Sequence, residues 1–302
     1  MLSIIICSVA SERLSAVKDS IEQTVGVDYE IIAINNAEKK WPIAKVYNYG
    51  ASQAKYPYLF FVHEDVKFHS KDWGQFICRQ LAEPDCGVIG FAGSKVRLPC
   101  CSGWGQINEY IVSYLYQGLR SGLTGFFIAG AFLEHSFEEV ITLDGLGLLV
   151  RKEVWKQYPF DENLLTGFHC YDIDFTLQIA SAHYKNYVCC SNNFLIEHFS
   201  EGNYDADWFT TTMRMHSKWN HLLPMVTEQV QLTKKMRSHY EEALSYDFLR
   251  RMMLTNCTYI DIKKAVKEYC RLPYSWRHFR RCISFMIKLW KIKGRNVFDE
   301  EK

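Results

Sequence analysis

The chain has 302 residues, 48% of them hydrophobic, and 35 Lys and Arg stand against 34 Asp and Glu. That length holds one large domain or a domain with an appendage, and the hydrophobic share is ample for a filled core. The near balance of charge argues against nucleic acid as a partner, because nucleic-acid domains carry a clear basic excess. Ser3–Val9 opens the chain as a buried strand. Ser11–Thr24 has helical spacing, with Leu14, Val17 and Ile21 on one stripe and Ser11 placed as the N-cap. A second strand covers Tyr29–Ile34 and ends in Asn35-Asn36. A helix over about 44–55 leads to a third strand, Tyr58–Val62, opened by Pro57 and apolar on both faces. His63-Glu64-Asp65-Val66 follows at once, then a helix near Asp72–Leu81 and a strand at Cys86–Phe91.

This alternation predicts an α/β fold with a mostly parallel, doubly wound sheet. Ligands of such sheets bind outside the carboxyl ends of the strands. Two carboxylates and an imidazole arriving there can hold a divalent cation, and the cation can hold a phosphate.

Residues 93–139 are irregular, with Pro99, six glycines between Gly103 and Gly130 and many aromatics. Long loops of this kind are functional or disordered, and the aromatics point to an acceptor-facing insertion. Aromatic residues make up 15% of the whole chain, which suits either stacking on bases and sugars or an aromatic core. Strand character returns at 140–143 and 147–150, a helix begins near Asp172, and the chain beyond about Asp205 reads as helical. The expected organisation is a catalytic domain over 1–205 and a helical C-terminal region over 206–302.

Eleven cysteines include no C-x-x-C and no metal-ligand spacing, so a structural zinc site is not expected. Met1–Val9 is apolar but has no basic leader and no small-residue cleavage site. Reduced thiols in a cytoplasmic protein are the expectation. No apolar run reaches the roughly 18 residues that span a bilayer.

Four motifs in order carry a resemblance: Cys7-Ser8-Val9 with Asn35-Asn36, His63-Glu64-Asp65-Val66, Phe168 to Phe175, and Glu197 to Gly202. Over Met1–Trp208 the chain resembles GT-A-fold glycosyltransferases of the family-2 type, nearest the branch related to a streptomycin-biosynthesis protein. The resemblance implies that Ser8, Val9, Asn35 and Asn36 lie near the nucleoside of a nucleotide sugar. Asn amides offer a donor and an acceptor to a uracil edge, although Asn35-Asn36 also reads as a turn. Asn48 matches a further nucleotide position, Lys45 reaches for a phosphate, and Glu64 belongs to the same pocket.

In place of the family's Asp-x-Asp stands His63-Glu64-Asp65. The resemblance makes Asp65 a metal ligand, with His63 and His198 as its partners. Mn2+ or Mg2+ is the implied ion, and a nitrogen ligand tilts the choice toward Mn2+. The family's acidic pair falls at Tyr171-Asp172, which implies Asp172 as the general base. Asp174, two residues on, cannot share its helix face and is read as a capping group. Asp144-Gly145 resembles the sugar-pocket position, where Gly145 and Gly147 would admit backbone close to a ligand. Trp104 is a candidate for stacking on an acceptor sugar.

From Trp276 to Arg295 there are seven Lys or Arg and no acidic residue. Trp276, Phe279, Ile283, Met286, Ile287 and Trp290 recur at helical spacing, with Arg277, Arg281, Lys288 and Arg295 on another face. Such a helix suits peripheral contact with an anionic membrane, at the inner face of the cell membrane for a cytoplasmic enzyme. It suits equally a helix docked on the catalytic domain.

The expected function is inverting transfer from a nucleotide sugar, UDP-linked by resemblance, to a glycan or lipid-linked glycan acceptor in polysaccharide or glycoconjugate synthesis. A non-catalytic nucleotide-sugar or glycan-binding protein of the same fold is the alternative. A glycosidase with paired carboxylates would need no nucleotide.

Overall fold

β1 (Leu2–Ser8) is an almost unbroken apolar strand, which suits a place between two strands with cover on both faces. The computed structural model describes residues 1–105, 107–118, 123–131, 134–199, 202, 204–272 and 275–299. The chain divides into two units: Met1–Arg97, Gly103–Gly202 and Leu222–Val230 form the first, and Leu98–Ser102, Asn203–His221 and the chain from Gln231 onward form the second.

After β1 the first unit continues through α1 (Ser11–Thr24), β2 (Tyr29–Asn35), α2 (Asn36–Lys39), α3 (Ile43–Gln53) and β3 (Tyr58–Val62). β2 and β3 both pair with β1 in parallel, as the strand–helix alternation requires. The next elements are β4 (Val66–Phe68), α4 (Trp73–Leu81), β5 (Cys86–Gly90), β6 (Ala92–Ser94) and β7 (Val96–Arg97). β8 (Ile111–Gly118) and β9 (Thr124–Ala129) form a hairpin, followed by β10 (Phe137–Val140), β11 (Thr142–Leu143) and β12 (Gly147–Arg151). The helices α5 (Lys152–Gln157) and α6 (Tyr171–Ser181) then lead to β13 (Lys185–Cys189) and β14 (Ile196–His198).

Seven strands form the main sheet in the order β10-β13-β5-β12-β3-β1-β2. β12 enters its middle antiparallel to both β3 and β5. The irregular stretch after Gly93 supplies β8 and β9 to a second sheet, β11-β6-β8-β14-β4, with β9 on β8. Its short strands, interrupted by glycine, give little periodic signal in the sequence.

Alternation along the central strands sorts the core. Ile4 and Ile6 of β1 join Phe60 and Val62 of β3 in one cluster, covered by Val17 and Ile21 of α1 and Trp73 and Ile77 of α4. Phe194, in the turn before β14, stacks on Trp73 at 4.5 Å between ring centroids, and Trp73 stacks on Phe68 at 4.9 Å. Phe61 faces the other way, against Tyr47 of α3 and Phe160. Each such buried side chain contributes about 1.5–3 kcal/mol. Much of the aromatic content therefore fills the core.

α7 (Ala206–Trp219) is followed by β15 (Met225–Val226), which pairs with β7 and returns 222–230 to the first unit. The second unit holds α7, α8 (Lys234–Met252), α9 (Tyr259–Tyr269) and α10 (Trp276–Asp299). Its own core gathers Phe209, Phe248, Leu249, Ile262, Val266, Tyr269 and Phe285.

Candidate active site

Register brings the site residues to one edge. Ser8 pairs with Asn35, Ile6 with Val62, and Val62 with Gly147. The carboxyl ends of β1, β2 and β3 thus lie beside the segment that enters β12. His63 continues that register, its N–H donating to the Leu146 carbonyl at 3.0 Å.

β4 and β14 pair antiparallel with His198 opposite Val66, and Phe199 N–H donates to the Asp65 carbonyl at 3.0 Å. Asp65 and His198 are neighbours for that reason. His198 Nε2 lies 3.7 Å and His63 Nδ1 3.8 Å from Asp65 Oδ1. One ligand atom from each of the three residues lies within 4.8 Å of the others. Burial, then the neighbouring His198, lowers the pKa of His63, which favours the neutral imidazole that binds metal.

Tyr171 opens α6 and is buried beneath this group. Its hydroxyl donates to the Gly145 carbonyl at 2.9 Å and lies 2.6 Å from His63 Nε2. With its proton on Gly145, the hydroxyl accepts from His63 Nε2–H, so Nδ1 keeps its lone pair toward Asp65. Gly145 makes this possible, since a Cβ there would stand 2.2 Å from the Tyr171 hydroxyl. The close approach expected of a ligand at Gly145 is made by Tyr171. At Gly147 the Phe91 and Phe60 rings take that space.

Cys170, at φ 63°, launches α6 from the left-handed region, a conformation costing roughly 1–3 kcal/mol that clusters at functional sites. Asp172 follows Tyr171 and accepts from Ile173 N–H at 2.8 Å. Burial, and then the charge of Asp144, raise its pKa to about 7, against the backbone donors of Ile173 and Gly145. Asp144 is held by Leu146 N–H at 3.0 Å. Asp174 is fully buried in the same first turn.

The residues expected beside a nucleotide divide. Ser8 is buried at the end of β1 and Val9 is exposed. Glu64, expected in the nucleotide pocket, instead accepts from Val9 N–H and Ala10 N–H, both at 3.2 Å, which ties β3 to the start of α1. Asn36 clasps the Trp41 backbone with both halves of its amide, so it builds the turn. Asn35 donates to Glu38 at 2.9 Å. Lys45 and Lys39 lie over the Trp41 ring, at 4.6 and 4.5 Å. Asn48 is not brought to this group. Its amide accepts from Trp155 Nε1 and Phe160 N and donates to Phe160 O and Glu162, which exhausts its bonding capacity on the 155–162 segment. Ser200 and Glu201, at the end of the fourth motif, lie outside the described residues.

The part played by Tyr171 has no local signal in the sequence, because its partner His63 is 108 positions away. A tyrosine at the position where the resemblance implies an acid was the trace of it. Phe168, half exposed with its ring centroid 6.1 Å from that of His63, also went unmarked at this site.

Residues 3–218 match the glycosyltransferase-like family, more than half of the chain. The chain belongs to that family. Staphylococcus aureus TarS is similar in structure at a TM-score of 0.54 and 12% identity, over 95% of this chain and 53% of TarS. TarS 1–349 in complex with UDP-GlcNAc has the same score and identity over 90% of this chain and 81% of that one. GalNAc-T7 with UDP, GalNAc and Mn2+ scores 0.53 at 9% identity, over 89% of this chain and 54% of its own. The glycosyltransferase-like chain therefore spans about half the length of TarS and of GalNAc-T7. At such identities the likeness is one of fold, and the fold is GT-A. No curated protein matches the chain.

Proposed function

We propose that the chain is a metal-dependent, inverting glycosyltransferase using a UDP-linked sugar and an acceptor hydroxyl, in polysaccharide or glycoconjugate synthesis. The observation that carries this reading is the hydrogen-bonded chain His63–Tyr171–Gly145. It joins the His63-Asp65-His198 group to the start of α6, where Asp172 stands. UDP-GlcNAc in TarS 1–349 and UDP with Mn2+ in GalNAc-T7 support a nucleotide-sugar donor and a divalent ion. The run at His63–Val66 supports a place near the streptomycin-related branch. Eleven free thiols support a cytoplasmic setting.

Two imidazoles and one carboxylate fit Mn2+ better than Mg2+, which takes almost only oxygen. His63 Nδ1, Asp65 and His198 Nε2 would hold the ion. A cation bound there supplies charge neutralisation for the departing diphosphate. Val9 and Asn35, at the ends of β1 and β2, are left to meet the nucleoside, and Lys45 a phosphate. Asp172 takes the proton of the acceptor hydroxyl as its oxygen attacks the anomeric carbon from the face opposite the diphosphate. One displacement inverts that carbon.

Assaying UDP-sugar turnover with an acceptor panel tests the reading. Asp172→Asn should slow transfer by about 10²–10⁴-fold while UDP still binds. An Asp172→Asn enzyme as fast as the parent would remove the base from Asp172.

A further inference from the structure

At about 3.6 residues per turn, α10 presents three stripes. His278, Cys282 and Phe285 form the first, which is buried. Tyr269 of α9 packs on it, with ring centroids 4.5 Å from His278 and 5.4 Å from Phe285. Tyr246 of α8 packs there too, 5.6 Å from Phe285. This stripe satisfies the helix's need for a docking partner within its own unit.

The second stripe is the apolar one read from the sequence: Trp276, Phe279, Ile283, Met286, Ile287 and Trp290. All six are exposed, Trp276 by 75% and Trp290 by 74%. A free surface seldom carries a contiguous apolar band of this kind without a partner. The third stripe carries Arg277, Arg280, Arg281, Lys288 and Lys291. Arg281 is held at 3.1 Å by Glu242 and lies over Tyr246. Arg277, Arg280 and Lys288 rim a cavity of about 360 Å³ beside Trp276 and Tyr246. Arg295, which the sequence placed on this face, lies beyond the described side chains.

We infer that the outer face of α10 is a docking surface for an anionic phospholipid bilayer, with the helix lying in the membrane plane. Charge complementarity decides the occupant. A bilayer interface takes the apolar stripe into its acyl boundary while its phosphates meet the adjoining cations, and tryptophan is at home at that depth. A second copy of the same face would bring two basic stripes together with no acid between Trp276 and Lys293 to offset them. Among the described residues no helix is long and apolar enough to cross a membrane. The inference therefore concerns a helix lying on the surface.

The test is sedimentation of the full chain with vesicles of phosphatidylcholine, alone or mixed with phosphatidylglycerol. Binding is expected to the mixed vesicles, to fall with added salt, and to be weak on phosphatidylcholine alone. Arg277→Gln/Arg280→Gln should weaken it roughly thirty-fold, at about 1 kcal/mol per cation. Ile283→Glu/Ile287→Glu should abolish it with the thermal midpoint unchanged, since both positions face outward. Trp276→Ser/Trp290→Ser is the second variant should that one unfold. Three results would overturn the inference: no binding to either vesicle, equal binding by parent and Ile283→Glu/Ile287→Glu, or a dimer in solution that the same substitutions dissolve.

Discussion

The Tyr171 hydroxyl sits 2.6 Å from His63 Nε2 and gives its own proton to the Gly145 carbonyl, so it sets which nitrogen of His63 faces Asp65. Tyr171→Phe leaves both the His63 N–H and the Gly145 carbonyl without this partner. Stability should fall by about 1–3 kcal/mol in a urea titration. Mn2+ affinity, read by calorimetry, should fall by about 10–100-fold, since the imidazole is no longer oriented.

Gly145→Ala attacks the same contact from the other side. Its Cβ would stand 2.2 Å from the Tyr171 hydroxyl and 2.6 Å from the ring carbon bearing it. Overpacking of this kind costs about 1–3 kcal/mol. Combined with Tyr171→Phe the cost should be less than the sum, because the two changes disturb one contact.

Asp172 gives the pH dependence. Burial first and the Asp144 charge second raise it to about 7 from an ordinary value of 3.8. If Asp172 is the base as proposed, its ionised form fills as pH rises through about 7, and transfer should climb there and level off above. Asp144→Asn removes the second cause while its amide oxygen can still accept from Leu146 N–H. The rising limb should move to lower pH. Stability has the opposite sign. Between the unfolded and folded values the folded chain binds more protons, so Asp172 makes stability fall as pH rises from about 4 to about 7. Thermal midpoints across that range should fall less in Asp172→Asn.

Glu64→Ala tests the tie between β3 and α1. It strips the acceptor from Val9 N–H and Ala10 N–H, and hydrogen bonds to a charged group are worth about 1.5–3 kcal/mol. Lower stability and weaker UDP binding should appear together, because Val9 is one of the two residues proposed to meet the nucleoside. Asn48→Ala should lower stability alone, since its amide braces the 155–162 segment.

The first half of the main sheet was legible because β1, β2 and β3 are largely apolar runs separated by helical segments, and the nearness of Asp65 to the strand end because it lies three residues beyond β3. β12 was placed as a strand, but its antiparallel entry depends on pairings that no local pattern encodes. The second sheet stayed hidden for the same reason, and with it the β4–β14 register that sets His198 beside Asp65. Asn36, Asn48 and Glu64 were assigned to the nucleotide by motif position. Their polar groups turned out to close turns and join elements, a need that appears only once the chain is folded. α10 shows the reverse: its exposed stripe was read correctly as apolar, while the smaller buried stripe of His278, Cys282 and Phe285 was invisible beside it.

Calorimetric titration of UDP, with and without Mn2+, tests the central claim most directly when run on the parent, Asp65→Ala and Asp172→Asn. The account predicts UDP binding that requires Mn2+, disappears in Asp65→Ala and persists in Asp172→Asn. UDP binding that ignores Mn2+ and is equal in Asp65→Ala and the parent would contradict it.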